Sequence, residues 1–293
     1  MGRITASDVR DMKKRGQKIV MMTAYDYPSG RLVEQGGADV ILVGDTLGMV
    51  VLGYDSTVPV TMDDMVHHTK AVVRGTQRAL VVADMPFMSY QTGWQEAMAN
   101  AARLLKETGC GAVKLEGGVR SAETVAKLVE AGIPVMGHIG LTPQSVNQLG
   151  GFKLQGKTPA AAVQLMHDAQ ALEQAGAFAI VLETIPAPLA EMLTQRVSVP
   201  TIGIGAGVHC DGQVQVFHDL LGLFDAFTPK HARRYADAGA LIRDAVSRYA
   251  ADVRAGAFPT ARESFKMDPA ALAELRPEGA EAIRRRHALG LDA

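Results

Sequence analysis

The stretch LVEQGGADVILVGD, from Leu32 to Asp45, decides the fold because it joins the end of a helix to a buried strand. Its first residues have the spacing of the last turn of an amphipathic helix, a glycine pair follows, and an apolar run then ends at Gly-Asp. Glycine suits this junction because helices often end with a residue in the left-handed conformation, which glycine adopts without steric cost. An apolar run that stops at a carboxylate is typical of a parallel strand buried on both faces.

The same order of helix end, glycine and strand recurs along the chain. Three further segments show it: LLKETGCGAVKLEGG (Leu104 to Gly118), LVEAGIPVMGHIG (Leu128 to Gly140) and LEQAGAFAIVLET (Leu172 to Thr184). Other apolar runs predict four more strands, which bring the total to eight: Lys18 to Ala24, Leu80 to Pro86, Pro200 to Ala206 and the short Phe224 to Phe227. Repetition of this kind indicates βα units around a parallel sheet.

The segments between the strands carry the helical period. Thr61 to Arg74 places its apolar residues on one face, with two aspartates in the first turn, where the helix dipole favours negative charge. Ser121 is predicted to cap the next such helix. We therefore predict an α/β fold, a (β/α)8 barrel over residues 1–257, in preference to a doubly wound open sheet. The more charged residues 258–293 are predicted to be a C-terminal extension and not a second domain.

Composition argues against several classes of partner. The chain has 293 residues, 47% of them hydrophobic, and a net charge of -1, so it lacks the positive charge that nucleic acids or anionic membranes attract. Cys110 and Cys210 are too few for a disulfide scaffold. The N-terminus lacks the apolar core of a signal peptide, and no run approaches the roughly 20 apolar residues of a membrane helix. We expect a cytoplasmic protein with no nucleic-acid or membrane partner.

Polar and charged side chains stand where the predicted strands end, at the face where the loops of a (β/α)8 barrel build the active site. They are Asp45, Thr46, Asp84, Lys114, Glu116, His138 and Glu183. A lone Gly-Asp-Thr also forms turns or helix caps, so the recurrence is what favours a site. Lys114 and Glu116 are two residues apart in a strand and point the same way. Because the apolar Val113 and Leu115 must face the helices, Lys114 and Glu116 face the barrel axis.

Two explanations of these buried charges remain open at this point. One is a purely structural set of ion pairs among Lys114, Glu116 and the aspartates. The other is a divalent cation, because Asp45 and Asp84, with Glu116 nearby, are the hard oxygen ligands that hold Mg²⁺. The excess of carboxylates over a single lysine favours the cation. No pair of cysteines or histidines has zinc-site spacing, which disfavours zinc.

Three further stretches of the sequence are candidates for a functional role. The loops Leu47 to Val60 and Leu141 to Thr158 are long for their type of connection, as lids and binding loops usually are. Lys153 and Lys157 in the second loop either meet an anionic substrate or remain solvated. The glycine-rich Gly203 to Gly212 either cradles a phosphate or makes a tight turn at the barrel rim.

Six blocks of the sequence together resemble the ketopantoate hydroxymethyltransferase family. They are VGDTLGMVVLGYDST, VVADMPFMSY, AVKLEGG, GHIGLTPQSVNQLGGFKLQGKT, IVLETIP and IGIGAGVHCDGQVQVFHDLLG, and the similarity runs in register from about Met21 to Lys230. Thr46 stands where the family commonly has serine. The resemblance implies a (β/α)8 enzyme of pantothenate biosynthesis that transfers a one-carbon unit from 5,10-methylenetetrahydrofolate to 3-methyl-2-oxobutanoate, giving 2-dehydropantoate through a Mg²⁺-stabilised enolate.

The resemblance also implies roles for individual residues. Asp45 and Asp84 match the family's Mg²⁺ ligands, with Glu116 close to the metal. Thr46 and Lys114 match residues that hold the oxo acid, and Glu183 matches the proton acceptor. We expect a substrate site formed by Asp45, Thr46, Asp84, Lys114 and His138, although His138, to which the resemblance gives no role, either hydrogen-bonds the substrate or fills the barrel mouth. Family members are commonly cytoplasmic homo-oligomers, often decamers.

Two other functions remain compatible with the residues. One is another Mg²⁺-dependent barrel that acts on 2-oxo acids, such as a carbon-carbon lyase or a phosphoenolpyruvate-type mutase, and a requirement for folate would separate it from a hydroxymethyltransferase. The other is a barrel kept as a non-catalytic binding or assembly subunit. Such a subunit would be expected to lose charged residues at the strand ends, and this chain has all of them.

Overall fold

The computed structural model describes residues 2–224, 229–275 and 277–289, and eight parallel strands within them close into a barrel. The strands are β1 (Ile19–Thr23), β2 (Val40–Val43), β3 (Leu80–Asp84), β4 (Ala112–Glu116), β5 (Val135–Gly140), β6 (Ala179–Glu183), β7 (Thr201–Ile204) and β8 (Gly212–Gln215). Each strand pairs with its neighbour in chain order, and β8 pairs with β1 from Ile19 opposite Gly212. The predicted (β/α)8 barrel is confirmed.

One helix precedes the first strand, and the others connect the strands or follow the last of them. They are α1 (Ala6–Lys14), α2 (Tyr27–Gln35), α3 (Leu47–Val50), α4 (Met62–Gly75), α5 (Trp94–Arg103), α6 (Val119–Glu130), α7 (Val146–Leu149), α8 (Pro159–Gln174), α9 (Ala187–Arg196), α10 (Phe217–Leu221), α11 (Ala238–Arg254), α12 (Pro269–Glu274) and α13 (Pro277–Ala288). By internal packing the chain divides into two compact units, Met1–Gly239 and Ala240–Ala293. None of the described helices is long and apolar enough to cross a membrane.

The junctions between helices and strands follow the pattern seen in the sequence. At each of the four predicted junctions one glycine has a φ between 78° and 98°: Gly37, Gly109, Gly132 and Gly176. Helix α4 also begins as predicted, because Thr61 accepts a hydrogen bond from the Asp64 amide. These local signals fix where each helix stops and the next strand begins.

Two apolar layers surround the strands, and side chains alternate between them as the strand period requires. Inside the barrel lies a cluster that includes Met21, Leu42, Val82 and Met136. Between barrel and helices lies a larger cluster that includes the outward-facing Val113 and Leu115 of β4. The side chains of Lys114 and Glu116 therefore point inward, at the carboxyl end of the barrel.

Two local predictions need correction. Three of the four residues in the predicted strand Phe224 to Phe227 lie outside the described residues, and the strand that closes the barrel is the earlier β8. Strand β8 alternates glutamine with buried positions, so it lacks the continuous apolar run that marks the other strands. Ser121 lies inside α6, which begins at Val119, and its hydroxyl donates to the Glu116 carbonyl at 2.9 Å. Ser121 thus links the first turn of α6 to the preceding strand.

Candidate active site

A small cavity of about 50 Å³ lies at the carboxyl end of the barrel and is called the reaction cavity below. All seven predicted site residues line it, together with apolar side chains from β2, β6, β7 and β8: Asp45, Thr46, Asp84, Lys114, Glu116, His138 and Glu183. The barrel register explains the convergence, because Asp84 lies opposite Lys114 and Glu116 lies opposite His138 on neighbouring strands. The strand-end prediction of their position is therefore correct.

Lys114 is the centre of the buried charges. Its Nζ lies 2.8 Å from Oδ1 of Asp84 and 3.3 Å from Nδ1 of His138. Burial by itself would lower the pKa of Lys114, but the negative charges of Asp84 and Glu116 raise it, so the ammonium remains charged. A buried lysine is tolerated here because it is paired with a carboxylate at hydrogen-bond distance.

Asp45 and Asp84 lie side by side at the ends of adjacent strands. The Asp45 amide donates to Oδ2 of Asp84 at 3.0 Å, and Oδ2 of Asp45 accepts from the Gln144 side-chain amide at 2.8 Å. Burial, followed by the negative charge of Asp84, raises the pKa of Asp45 to about 7. Asp45 does not act as a helix cap, because its carboxylate accepts the hydrogen bond from the Gln144 side chain instead. The turn or cap interpretation of Gly-Asp-Thr thus does not describe this side chain.

Glu116 and His138 continue the buried network. Burial and the charge of Asp45 raise the pKa of Glu116 well above its usual range, and its Oε2 accepts from the Gln144 backbone amide at 3.2 Å. Burial and the neighbouring Lys114 lower the pKa of His138, which keeps the imidazole neutral. An ammonium group can only donate, so Nδ1 of His138 accepts from Lys114 and the ring proton is on Nε2. Nε2 lies 3.2 Å from Oε2 of Glu183.

His138 lies next to two groups that have different predicted roles, the substrate-binding Lys114 and the proton acceptor Glu183. It lies between the Lys114 ammonium and the Glu183 carboxylate, and its side chain is almost fully buried. Glu183 is the most accessible of the four carboxylates, with 16% of its side chain exposed. Glu183 lies at the edge of the reaction cavity, where its carboxylate can meet a bound molecule.

The charges of the reaction cavity fit a divalent cation. Four carboxylates line it, and Lys114 is the only lysine or arginine among its lining residues. Among the described residues, no three His, Cys, Asp or Glu side chains form a group that could hold a metal. Mg²⁺ is commonly held by one or two carboxylates, with water and substrate completing its shell, so Asp45 and Asp84 fit that donor set. Glu116 as a third ligand stays a prediction.

Sequence reasoning missed two residues of this site, Tyr90 and Gln144. The Tyr90 hydroxyl donates to Oε1 of Gln144 at 2.7 Å and accepts from the Glu116 backbone amide at 3.0 Å. Tyr90 follows β3, and Gln144 comes from the long loop after β5 that was predicted to be functional. The charged residues of that loop, Lys153 and Lys157, are exposed and do not line the reaction cavity.

Comparison with known proteins identifies the family. A family model described as ketopantoate hydroxymethyltransferase matches residues 3–261. The chain belongs to the ketopantoate hydroxymethyltransferase family. The 3-methyl-2-oxobutanoate hydroxymethyltransferase of Dehalococcoides mccartyi is 61% identical over 274 residues, which cover 94% of this chain and 98% of the relative. The protein of the same name from Carboxydothermus hydrogenoformans is 61% identical over 269 residues, 92% of this chain and 98% of the relative.

Solved structures share the barrel fold of this member of the ketopantoate hydroxymethyltransferase family. The phosphoenolpyruvate phosphomutase of Streptomyces platensis subsp. rosaceus aligns with a TM-score of 0.58 and 16% identity, covering 99% of this chain and 100% of that one. At this identity the likeness shows a shared fold and says nothing about the reaction. The relatives at 61% identity are far more similar to this chain.

Proposed function

We propose that this chain transfers a hydroxymethyl group from 5,10-methylenetetrahydrofolate to 3-methyl-2-oxobutanoate and forms 2-dehydropantoate, with Mg²⁺ as cofactor. The relatives at 61% identity bear the name 3-methyl-2-oxobutanoate hydroxymethyltransferase, which states the acceptor and the group transferred. The observation that carries the proposal is the reaction cavity itself, where paired aspartates, a charged lysine and a glutamate close to a histidine meet. Each of these groups has a defined task in removing a proton beside a carbonyl group.

Lys114 binds the negative charge of the oxo acid. Its ammonium has three N–H donors, and Asp84 and His138 account for two of them. The third remains for the carboxylate of the substrate or for the oxygen that becomes negative as the reaction proceeds. Because the site is buried, this interaction is much stronger than it would be in water.

Asp45 and Asp84 would hold Mg²⁺. The bound ion would stabilise negative charge on the 2-oxo oxygen as the C3 proton leaves, which a carboxylate alone is too weak a base to remove. Asp84 keeps lone pairs for this purpose although Lys114 and the Asp45 amide already contact it, because each carboxylate oxygen has two acceptor sites.

Glu183 takes the C3 proton. Its Oε2 lies 3.2 Å from Nε2 of His138 and its side chain borders the reaction cavity, so the carboxylate can approach a substrate seated against Lys114. The C3 carbon then forms a bond to the methylene carbon of the donor. Both carbon–nitrogen bonds of the methylene group break, and a water molecule supplies the oxygen of the new hydroxyl group. The two nitrogens of the released tetrahydrofolate gain one proton from water and the C3 proton, which Glu183 gives up.

The test separates the proton transfer from the rest of the reaction. The purified protein is incubated with 3-methyl-2-oxobutanoate in D₂O, with and without Mg²⁺, and exchange of the C3 proton is followed by NMR. We expect exchange that depends on Mg²⁺. Glu183→Gln should slow it by about 10²- to 10⁴-fold, the usual contribution of a general base.

Glu191→Gln is the matched control, because Glu191 lies on α9 with 42% of its side chain exposed. It should exchange the C3 proton at the rate of the unaltered protein. Exchange near the normal rate in folded Glu183→Gln would remove Glu183 from the role of base. Assembly into homo-oligomers stays a prediction that sedimentation would decide.

A further inference from the structure

A second and much larger cavity adjoins the reaction cavity. It encloses about 650 Å³, against about 50 Å³ for the reaction cavity, and is called the outer cavity below. Glu116 lines both cavities, and Gln144, which contacts Asp45 and Glu116, lines the outer one. Pockets for ligands of drug size enclose about 300–1,000 Å³, a range that contains the outer cavity and not the reaction cavity. The two cavities are therefore suited to ligands of different size.

The walls of the outer cavity suit a flat aromatic ligand with a polar edge. Phe87 and Trp94 supply aromatic surfaces, and Phe87 is 37% exposed although it is one of the largest apolar side chains. The amides of Gln91, Asn147 and Gln148 also line it and offer donors and acceptors for a heteroaromatic edge. Flat heteroaromatic rings bind proteins in this way, by stacking on aromatic side chains and by hydrogen bonds along the ring edge.

A positively charged side chain, Arg120, lies at the edge of the outer cavity and could bind an anionic part of the same ligand. Arg120, in the first turn of α6, is exposed at the outer cavity, and its guanidinium donates to the hydroxyl of Ser145 at 3.2 Å. A guanidinium has five N–H donors, so Arg120 retains several for an anionic group of a ligand. Arginine is well suited to carboxylates because it can contact both oxygens at once.

We infer that the outer cavity binds the one-carbon donor, a reduced pterin with an anionic tail, with Phe87 and Trp94 stacking on its rings and Arg120 contacting its carboxylate tail. The inference rests on the proposed function, which requires such a donor. It assigns the two substrates to two adjoining cavities, so that the carbon to be transferred meets the deprotonated oxo acid beside Glu116. The small oxo acid occupies the reaction cavity and the large donor occupies the outer one.

The chain offers a built-in reporter for this assignment. Trp94 is the only tryptophan of the 293 residues, and it lines the outer cavity. Titration with tetrahydrofolate should therefore change tryptophan fluorescence, with free tryptophan amide as the correction for light absorbed by the ligand. Phe87→Ala should raise the dissociation constant about tenfold, as expected when a stacking surface is lost. Met192→Ala is the control, because Met192 is an apolar side chain on α9 that is more exposed than Phe87 and lies outside the outer cavity.

Two measurements on the unaltered protein distinguish failure of this inference from failure of the proposed function. They are equilibrium dialysis with tetrahydrofolate and the C3 exchange assay. Binding in dialysis without a fluorescence change, or with less than about a twofold effect of Phe87→Ala, would place the donor elsewhere and overturn the inference while leaving the proposed function intact. C3 exchange without any binding of tetrahydrofolate would refute both the folate donor and the inference. Binding that depends on Phe87, without C3 exchange, would support the outer cavity and refute the proposed oxo acid.

Discussion

The Gln144 side chain connects more of the site than any charged residue does, and replacing it gives a quantitative test of the structure. Its Nε2 donates to Oδ2 of Asp45 at 2.8 Å and to the Met85 carbonyl at 2.9 Å. Its Oε1 accepts from the Tyr90 hydroxyl at 2.7 Å and from the Gln91 amide at 3.1 Å. Gln144 is 5% exposed, so water does not replace these partners in the unaltered protein.

Gln144→Met keeps the length of the side chain and removes every hydrogen bond that it makes. Three buried groups then lose a partner: the Asp45 carboxylate, the Met85 carbonyl and the Tyr90 hydroxyl. Each buried polar group left without a partner costs about 1–3 kcal/mol. After some relaxation we expect Gln144→Met to lower the free energy of unfolding by about 3–5 kcal/mol.

Gln144→Ala should be less harmful, although it removes more atoms. The space that it opens joins the outer cavity, which Gln144 lines, so water can enter and bind the three groups. We expect a loss of about 1–2 kcal/mol, smaller than for the methionine variant. This order is the reverse of the order for an apolar core position, where the larger replacement is the milder one.

Urea unfolding measures both values, provided that the slope of the transition is the same in all variants. Gln148→Met is the control, because Gln148 also lines the outer cavity but is exposed, and its effect should stay within about 0.5 kcal/mol. The reasoning is refuted if Gln144→Met is as stable as the unaltered protein, or if Gln144→Ala is the less stable of the two variants.

Two further predictions concern the backbone around the site and the base of the barrel. Gly140→Ala should lower the free energy of unfolding, measured by thermal or urea unfolding, by about 2–4 kcal/mol, because the new Cβ would lie 2.2 Å from the Glu183 carbonyl. Gly132→Ala is the control, because Gly132 has a similar positive φ but no neighbour within 4 Å of the new Cβ, and it should lose only about 1–2 kcal/mol. Glu34 accepts from the backbone amides of residues 77–79, and although partial burial alone would raise its pKa, these bonds hold it below its usual range. The Glu34 carboxylate therefore contributes its full stabilisation above the pKa of the unfolded chain and loses it as the pH falls through the lower pKa of the folded protein. The difference in unfolding free energy between the unaltered protein and Glu34→Gln should narrow as the pH falls from about 6 to about 3.

The fold was predictable because its signals are local and repeated. At each of four junctions an amphipathic helix end, a glycine and an apolar run stand next to one another, and the structure gives each junction a left-handed glycine. Strand β8 was missed because its buried positions alternate with glutamines, a pattern that resembles a loop when only four residues long. Ser121 was misplaced because a serine near a helix start has two uses, and only the folded chain shows that its hydroxyl bonds back to β4.

The site was predictable only as far as the strands determine it. Side chains at strand ends converge in any closed parallel barrel, so Asp45, Asp84 and Lys114 could be placed together from the sequence. Tyr90 and Gln144 could not, because each lies in a loop whose course depends on packing against the rest of the barrel. The other positions were predicted from the excess of carboxylates over lysine at the strand ends, and neutral residues such as Tyr90 and Gln144 do not contribute to such an excess.

Tyr90 and Gln144, the two loop residues that were not predicted from the sequence, lie between the two cavities. Tyr90 and Gln144 are hydrogen-bonded to each other and to the backbone or side chain of Glu116, and both line the outer cavity. Gln144 also holds Asp45, which faces the reaction cavity. A displacement of this wall therefore moves a proposed Mg²⁺ ligand and the surface offered to the donor together, whereas a change at Phe87 alters the outer cavity alone. Buried, fully paired polar groups are well suited to such a wall, because they fix one arrangement and make any other costly.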